Sequence, residues 1–395
     1  MNQPISLSVR LKKGREAPLL SGFPWVMAAD IADSSALALA ENGELAEIRG
    51  TRDAFLGIGY YNRASAIAVR MLTRRRQPID VDFFIRRLQH ALERRRPLGV
   101  PYYRLVHAEG DLLPGLIVDR FDQHCVLQVA TAGMERLLPL VLQALDAVIA
   151  PQALLLRNDI AARTKEGLAQ DVAMLRGEMP ARLEVLENGC RYVADPWRGQ
   201  KTGWFYDQRD NRRLVAGHAS GKSVLDLFSH SGGFSLLAAR SGASAITLVD
   251  SSPLALTLAE EAAALNGVAD RCTFLRNDVF AAGAAQAQAR VTFDIVVADP
   301  PAFIKTRNDM ASGLKGYTKV ARLAAALVAP GGLLMVCSCS HHATRPRLRE
   351  AVLHGVARVG RGVEILAFTG HALDHPVHPH LPQSEYLKAL LLRLE

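Results

Sequence analysis

The stretch VLDLFSHSGGF at residues 224–234 decides the fold. An apolar strand runs into a turn of small residues and then into a helix, which is the repeating unit of doubly wound α/β sheets. Further apolar, strand-like runs separated by helical stretches follow at 245–250, 272–276, 293–298 and 333–337, and a terminal pair covers 363–368 and 386–393. The sequence therefore predicts a seven-stranded α/β domain over residues 191–395.

Two of these runs are followed by side chains that can take part in catalysis. The run at 293–298 leads into DPPAF, residues 299–303, and the run at 333–337 leads into SCS, residues 338–340. Parallel strands present their carboxyl ends at one sheet edge, where ligands bind in open α/β folds, so we expect Asp299 and Cys339 side by side. With the turn at 224–234, this arrangement predicts methyl transfer by a class I (Rossmann-like) domain.

Acids and amides at successive strand ends indicate a nucleotide-like cofactor. Gly232 and Gly233 allow close backbone approach, and Asp250, 24 residues beyond Asp226, can accept both ribose hydroxyls. Asn277-Asp278 would lie at the adenine. A helix N-cap is the alternative for the two aspartates that end strands, Asp250 and Asp278. The predicted cofactor contacts here are Asp226, Phe228, Ser229, Gly232, Gly233, Asp250, Ser251, Asn277, Asp278, Val279 and Asp299.

Composition indicates a cytoplasmic enzyme that binds a polyanion. Lys and Arg number 47 against 39 Asp and Glu, a net charge of +8 that favours nucleic acid as a partner. Five cysteines without a C-x-x-C pair exclude a disulfide framework and a zinc ribbon. No apolar run reaches the roughly 18 residues of a membrane span, and the N-terminus lacks a signal-peptide layout.

Two further domains are expected before the α/β domain. Residues 1–74 alternate in short strands with turn residues, which predicts a small β-barrel, and residues 78–190 read as an α+β domain. Arginine runs close the barrel and a following helix at Arg74-Arg75-Arg76 and 94–96. These runs form either an RNA-backbone stripe or a solvated helix face and linker.

Nearly the whole chain resembles the bacterial ribosomal RNA large-subunit methyltransferase I type. The resemblance is carried by GFPWV at 22–26, GYYN at 59–62, GDLLPGLIVDR at 110–120, RND at 157–159 and, most specifically, KTGWFYDQRDNR at 201–212. It implies a PUA domain in the barrel, S-adenosylmethionine as cofactor, and 23S rRNA or a large-subunit precursor as partner. It also implies cofactor contacts from Thr202, Phe205 and Gln208, with an ordinary helix start capped by Asp207 as the alternative.

The family's reaction, cytosine-C5 methylation, assigns roles to the two loops. Attack of a Cys339 thiolate on C6 would make C5 nucleophilic, a proton from Asp299 to N3 would stabilise the adduct, and Phe303 would stack on the flipped base. Departures from the family pattern concern the substrate more than the cofactor: Ala302 replaces a frequent Lys, His230-Ser231 replaces Tyr-Thr, and His341-His342 is unexpected.

The sequence alone leaves two alternative functions open. Asp-Pro-Pro followed by an aromatic residue also occurs in methyltransferases that act on base nitrogens and need no thiol, so Cys339 decides between the two reactions. A non-catalytic RNA-binding assembly factor is a second alternative. No metal site is expected, because Pro376 and Pro379 break the spacing of the candidate ligands. Homodimerisation is left open. Those candidate ligands are His371, Asp374, His375, His378 and His380.

Overall fold

The structure is a computed structural model that describes residues 5, 7–33 and 37–395. These residues form two compact units. The first extends to Ala181 and takes in Gln200–Thr202 and Leu373–Ser384. The second comprises Arg182–Gly199, Gly203–Ala372 and Glu385–Glu395.

The N-terminal part of the first unit is a five-stranded sheet, as the alternating pattern predicts. Its strand order is β1-β3-β4-β5-β2, with β1 parallel to β3 and the other pairs antiparallel. Val9, Ile48 and Val69 point inward and are fully buried. The elements are β1 (Leu7–Arg10), α1 (Ala17–Leu20), β2 (Trp25–Met27), β3 (Leu45–Arg49), β4 (Phe55–Tyr61) and β5 (Ile67–Thr73).

A second five-stranded sheet and two long helices complete the first unit, in the order β10-β9-β8-β7-β6. Helix α2 begins where the Asp80 carboxylate accepts the Phe83 N–H at 3.0 Å, and its apolar face buries Phe83, Phe84 and Leu88. The elements are α2 (Val81–Arg95), β6 (Tyr102–His107), β7 (Leu116–Phe121), β8 (His124–Val129), α3 (Ala132–Ile149), β9 (Ala153–Arg157) and β10 (Val172–Arg176).

The second unit opens with the hairpin β11 (Leu183–Glu187) and β12 (Cys190–Ala194), followed by α4 (Arg209–Ala216). A seven-stranded sheet follows, with helices between its strands along the chain. Its elements are β13 (Ser223–Leu227), α5 (Gly233–Arg240), β14 (Ala245–Asp250), α6 (Pro253–Leu265), β15 (Cys272–Arg276), α7 (Val279–Gln288), β16 (Phe293–Ala298), α8 (Met310–Ala326), β17 (Val328–Ser338), α9 (Arg345–Ala357), β18 (Val363–Thr369) and β19 (Lys388–Leu394).

The strand order of this sheet is β15-β14-β13-β16-β17-β19-β18. The first five strands are parallel, and β19 is antiparallel to both of its neighbours, β17 and β18. Central residues such as Leu225, Val296 and Leu334 are fully buried, as expected for strands covered on both faces. The predicted doubly wound sheet with a terminal hairpin is confirmed. In the described part of the chain, no helix combines the length and apolarity needed to cross a membrane.

Candidate functional site

The end of β13 carries a buried acid. The Asp226 side chain accepts hydrogen bonds from the Ser235 hydroxyl at 2.6 Å and the Ser235 N–H at 3.3 Å. Its Oδ1 atom is buried and has no hydrogen-bond partner. Burial raises the pKa of Asp226 to about 7, and the charges of Asp299 and Asp250 act in the same direction while Ser235 opposes them. The three carboxyl groups are therefore close enough for their charges to interact.

The turn after β13 adopts an unusual backbone. Phe228 and His230 both have positive φ values, 64° and 48°, which are uncommon for residues with a Cβ atom. The His230 N–H donates to Asp250 Oδ2 at 2.8 Å, and the Ser252 N–H donates to Asp250 Oδ1 at the same distance. Both oxygens of Asp250 are thus fixed in place, and each keeps lone pairs for a further donor. The Ser229 hydroxyl is buried and has no hydrogen-bond partner.

The local structure accounts for glycine at both positions of the turn. Gly232 has φ +78°, in the left-handed region that favours glycine. A Cβ atom on Gly233 would lie 2.5 Å from Nε of Arg212, whose guanidinium is buried against Glu187 at 2.7 Å. Their contact with a cofactor stays a prediction.

The third strand end is solvent-exposed. Asn277 and Asp278 follow β15, and the Asp278 carboxylate accepts the N–H groups of Phe280 and Ala281 at 3.0 Å each. Asp278 is therefore the N-cap of α7, which was the alternative for this residue. Ser251 is exposed and Val279 is buried at the start of α7. Adenine contacts from Asn277 and Asp278 stay predictions.

The segment at 201–212 is divided between the two units. Gln208 belongs to the second unit, and its Nε2 donates to Asp299 Oδ2 at 2.9 Å. The Phe205 ring meets the His230 ring edge-on, with 5.1 Å between the ring centres. Gln208 therefore lies beside the residue that follows β16, and Phe205 lies beside the turn that follows β13. Thr202 belongs to the first unit, where its buried hydroxyl donates to Asp119. Asp207 caps no helix; its carboxylate accepts the Tyr386 hydroxyl at 2.6 Å.

Asp299 and Cys339 follow adjacent parallel strands, as predicted. Ala298 of β16 pairs with Val336 of β17, so both loops leave the same edge of the sheet. Cys337 is fully buried, and burial raises its thiol pKa well above the ordinary value. Cys339 is half-buried and is the more accessible of the two thiols.

A buried hydroxyl network connects the two loops. The Ser338 hydroxyl donates to the Tyr317 hydroxyl at 2.8 Å, which shares a hydrogen bond of 2.8 Å with the Ser340 hydroxyl. The Ser340 oxygen in turn accepts the N–H of Ile304 at 3.1 Å. Phe303 is half-buried, with its ring 4.9 Å from that of Tyr317. The network fixes the backbone on both sides of Cys339.

Sequence reasoning missed Lys388 at the start of β19. The side chain is 2% exposed, and Nζ donates to the carbonyl oxygens of Ser340 at 2.8 Å and Ala343 at 2.7 Å. Burial lowers the pKa of Lys388 to about 8, and negative charge on Cys339 acts in the opposite direction. A lysine at the start of the apolar run 389–392 was the signal that could have identified it.

The two arginine runs have different surroundings. Arg74 and Arg75 are exposed, whereas Arg76 pairs with Glu47 at 2.8 Å and stacks on a phenylalanine ring. Arg95 is fully buried, and its guanidinium forms two hydrogen bonds of 2.6 Å to Asp111. The middle residue of the second run is therefore structural and cannot belong to a surface stripe.

The histidine-rich segment does not form one cluster. His371 belongs to the second unit, where its Nε2 accepts the Leu387 N–H at 3.0 Å and burial lowers its pKa to about 4. Asp374, His375 and His378 belong to the first unit and are buried there, with His380 exposed beside them. Within residues 5, 7–33 and 37–395, no group of three or more His, Cys, Asp and Glu side chains is arranged to hold a metal ion.

Comparisons with known proteins agree on the family. A family model described as S-adenosylmethionine-dependent methyltransferase matches residues 145–393, and a PUA-like domain matches residues 9–74. Ribosomal RNA large subunit methyltransferase I of Aeromonas salmonicida is 36% identical over 396 residues, covering 98% of this chain and 100% of the relative. The protein of the same name from Shewanella amazonensis is 35% identical over 397 residues, covering 99% and 100%.

Two solved structures share the fold. One is the methyltransferase SMU.776 complexed with SAH, with a TM-score of 0.84, 22% identity, and coverage of 98% of this chain and 100% of that chain. The other is an S-adenosylmethionine-dependent methyltransferase from Streptococcus mutans, with a TM-score of 0.81 and the same identity and coverage. The predicted combination of a PUA-like domain with a C-terminal methyltransferase domain is confirmed.

Proposed function

Because the chain belongs to the ribosomal RNA large subunit methyltransferase I family of S-adenosylmethionine-dependent methyltransferases, we propose that it methylates the C5 carbon of a cytosine in 23S ribosomal RNA. The names of its relatives support ribosomal RNA of the large subunit as substrate. They do not name the base. The observation that carries the choice of C5 is a half-buried cysteine in the loop after β17, next to the strand β16 that leads into Asp299.

The described residues fit the family's cofactor. S-adenosylmethionine has a positively charged sulfonium and an ammonium group, and the unpartnered Asp226 oxygen with the neighbouring Asp250 and Asp299 supplies the negative field such a ligand needs. The ordered Asp250 carboxylate can accept the two ribose hydroxyls, and Ser229 offers a buried hydroxyl. When bound, the cofactor supplies an electrophilic methyl group.

Cys339 and Asp299 then have separate roles. The Cys339 thiolate adds to C6 of the cytosine, and the ring nitrogen N3 takes a proton from the carboxylic acid of Asp299. The resulting enamine has a nucleophilic C5, which accepts the methyl group. Loss of the C5 proton to a base restores the double bond between C5 and C6 and expels the thiolate, and N3 returns its proton to Asp299. Gln208, which donates to Asp299 Oδ2, orients this carboxyl group.

Lys388 supplies the positive charge that favours the thiolate form of Cys339. An ordinary cysteine has a pKa near 8.5 and is mostly protonated at neutral pH, and a nearby ammonium group lowers that value. Lys388 is held by two backbone carbonyls of the Cys339 loop, close enough for its charge to interact with that of Cys339. With the Tyr317 network, it fixes the loop in the geometry that attack on C6 requires.

The test is covalent trapping. RNA that carries 5-fluorocytosine at the target loses no proton from C5, so the enzyme should remain attached to it in the presence of S-adenosylmethionine. Cys339→Ala should abolish both the adduct and methylation while cofactor affinity is kept. Cys337→Ala is the matched control, because its thiol is buried in the core, and it should retain both.

The result that would overturn this assignment is methylation by Cys339→Ala at a rate near wild type with an N-methyl base as product. The Asp-Pro-Pro-Ala-Phe segment would then hold an amine, as in methyltransferases that act on base nitrogens. A purified protein that fails to bind S-adenosylmethionine would instead favour a non-catalytic assembly factor.

A further inference from the structure

A basic groove lies between α8 and α9, and none of the residues assigned to catalysis lines it. Its cavity volume is about 630 Å³. Six of its lining side chains carry basic groups, against one acid, Glu350. The basic residues are Lys315, Lys319 and Arg322 of α8 with Arg347 and His354 of α9 and its C-cap residue Arg358.

Helical periodicity places these side chains in two facing stripes. On α8 the cationic residues recur at intervals of four and three, which puts them on one face of the helix. On α9 the residues at 347, 350, 354 and 358 are separated by three, four and four, so they form a second stripe. The eleven steps from Arg347 to Arg358 span about 16 Å at 1.5 Å per residue. The groove is therefore an elongated basic track.

Small residues at the helix contact bring the two stripes together. A Cβ atom on Gly355 would lie 2.5 Å from the carbonyl oxygen of Thr318 and 2.8 Å from the Cβ of Ala321. The Thr318 hydroxyl donates to the carbonyl oxygen of Ala351 at 3.1 Å. This close contact buries the apolar faces and leaves the long basic side chains along the outer edges.

The charges of the groove are not neutralised within the protein. Lys315, Lys319, Arg322, Arg347 and Arg358 are all exposed, and none forms an ion pair with any residue that the structure describes. Lys319 lies over the Phe280 ring, with Nζ 4.0 Å from its centre. Some exposed arginines elsewhere, such as Arg176 and Arg191, do pair with neighbouring acids. A concentration of unpaired cations attracts a polyanion.

The groove begins at the catalytic loops. Helix α8 follows the Asp299–Phe303 segment, and α9 follows the Cys339 loop, so both helices start at the edge of the sheet where these residues emerge. Phe303 packs directly on α8, because a Cβ atom on Gly316 would lie 2.9 Å from its Cδ2. Lys315 is adjacent to that glycine. A strand whose target base stacks on Phe303 can therefore continue into the groove.

We propose that the α8–α9 groove binds the phosphate backbone of the RNA strand that flanks the target nucleotide. This inference rests on the proposed function, since it takes RNA as the substrate. The groove contributes affinity and register, because phosphate contacts position a nucleic acid without reading its sequence. It is a second basic surface, separate from the exposed arginines of the N-terminal sheet.

The experiment compares full-length Arg322→Gln/Arg358→Gln with the control Arg290→Gln/Arg349→Gln. The control arginines are also exposed and without ion pairs among the described residues, but they do not line the groove. Binding of protein-free 23S rRNA is measured by filter retention over a series of salt concentrations. Two lost phosphate contacts should reduce the slope of log affinity against log salt by about 1.4, at roughly 0.7 per contact for a single strand.

The groove variant should also show a several-fold higher Kd for RNA at low salt, with S-adenosylmethionine affinity and the rate at saturating RNA unchanged. A slope equal to that of the control variant overturns the proposal. A loss of cofactor binding also overturns it, since the residues would then act through the fold. Failure of the proposed function shows separately, in the identity of the methylated base rather than in the salt dependence.

Discussion

Replacing the buried acid Asp226 by asparagine should make the cofactor-free protein more stable at neutral pH. Burial raises its pKa from 3.8 to about 7, so the folded protein keeps a proton that the unfolded chain releases. Stability is therefore lost as pH rises from about 4 to about 7, and the full difference corresponds to about 4 kcal/mol. Asp226→Asn keeps the shape of the side chain and does not ionise, so it avoids this loss.

The assay is urea unfolding of wild type and variant at several pH values between 5 and 8. Groups common to both proteins cancel in the difference, which should grow in favour of Asp226→Asn up to about pH 7 and then level off. Asp294→Asn is the control, because hydrogen bonds from Ser223 lower the pKa of that carboxyl and its titration falls below this range. If the difference in unfolding free energy between Asp226→Asn and wild type changes with pH as little as it does for the control, the pKa of Asp226 is not raised by burial.

Three further predictions concern the cofactor, the thiol and the first unit. Asp250→Ala should weaken S-adenosylmethionine binding by about 1–3 kcal/mol, or roughly 5- to 150-fold, because two ribose hydroxyls lose their acceptor; unchanged affinity in calorimetry would contradict the assignment. Lys388→Met should move the pH profile of Cys339 alkylation to higher pH, since the thiolate loses a neighbouring cation; an unmoved profile would leave Lys388 with a structural role alone. Arg95→Met should destabilise the protein by about 3–5 kcal/mol in urea unfolding by leaving Asp111 buried without its partner, whereas the exposed Arg96→Met should change little.

The strands of the second unit can be predicted from the sequence where burial determines the pattern of apolar residues. The parallel strands β14, β15 and β16 begin and end where the sequence predicts. For the central strand β16 the reason is that a strand covered on both faces reads as a nearly continuous hydrophobic segment. The juxtaposition of Asp299 and Cys339 follows from the same rule. The bounds of helix α7 are not evident from the sequence, because its alanine-rich segment lacks a polar face that would reveal a period of 3.6.

Features that depend on long-range contacts were not predictable from local patterns. Lys388 lies beside the Cys339 loop only because β19 pairs antiparallel with β17, with Lys388 opposite Ser338. Arg95 reads as part of a charged run, and its burial follows from a bidentate contact with Asp111, 16 residues away. The α8–α9 groove likewise requires knowing which helices are neighbours.

Nucleotide-resolution mapping of 5-methylcytosine in 23S rRNA tests whether this protein forms 5-methylcytosine through Cys339. Ribosomal RNA from cells lacking this protein is compared, after bisulfite treatment, with RNA from cells complemented by wild type, Cys339→Ala or Cys337→Ala. We expect one protected cytosine with wild type and with Cys337→Ala, and none with Cys339→Ala or without the protein. A bisulfite pattern that does not change on loss of the protein would contradict cytosine-C5 methylation of this RNA.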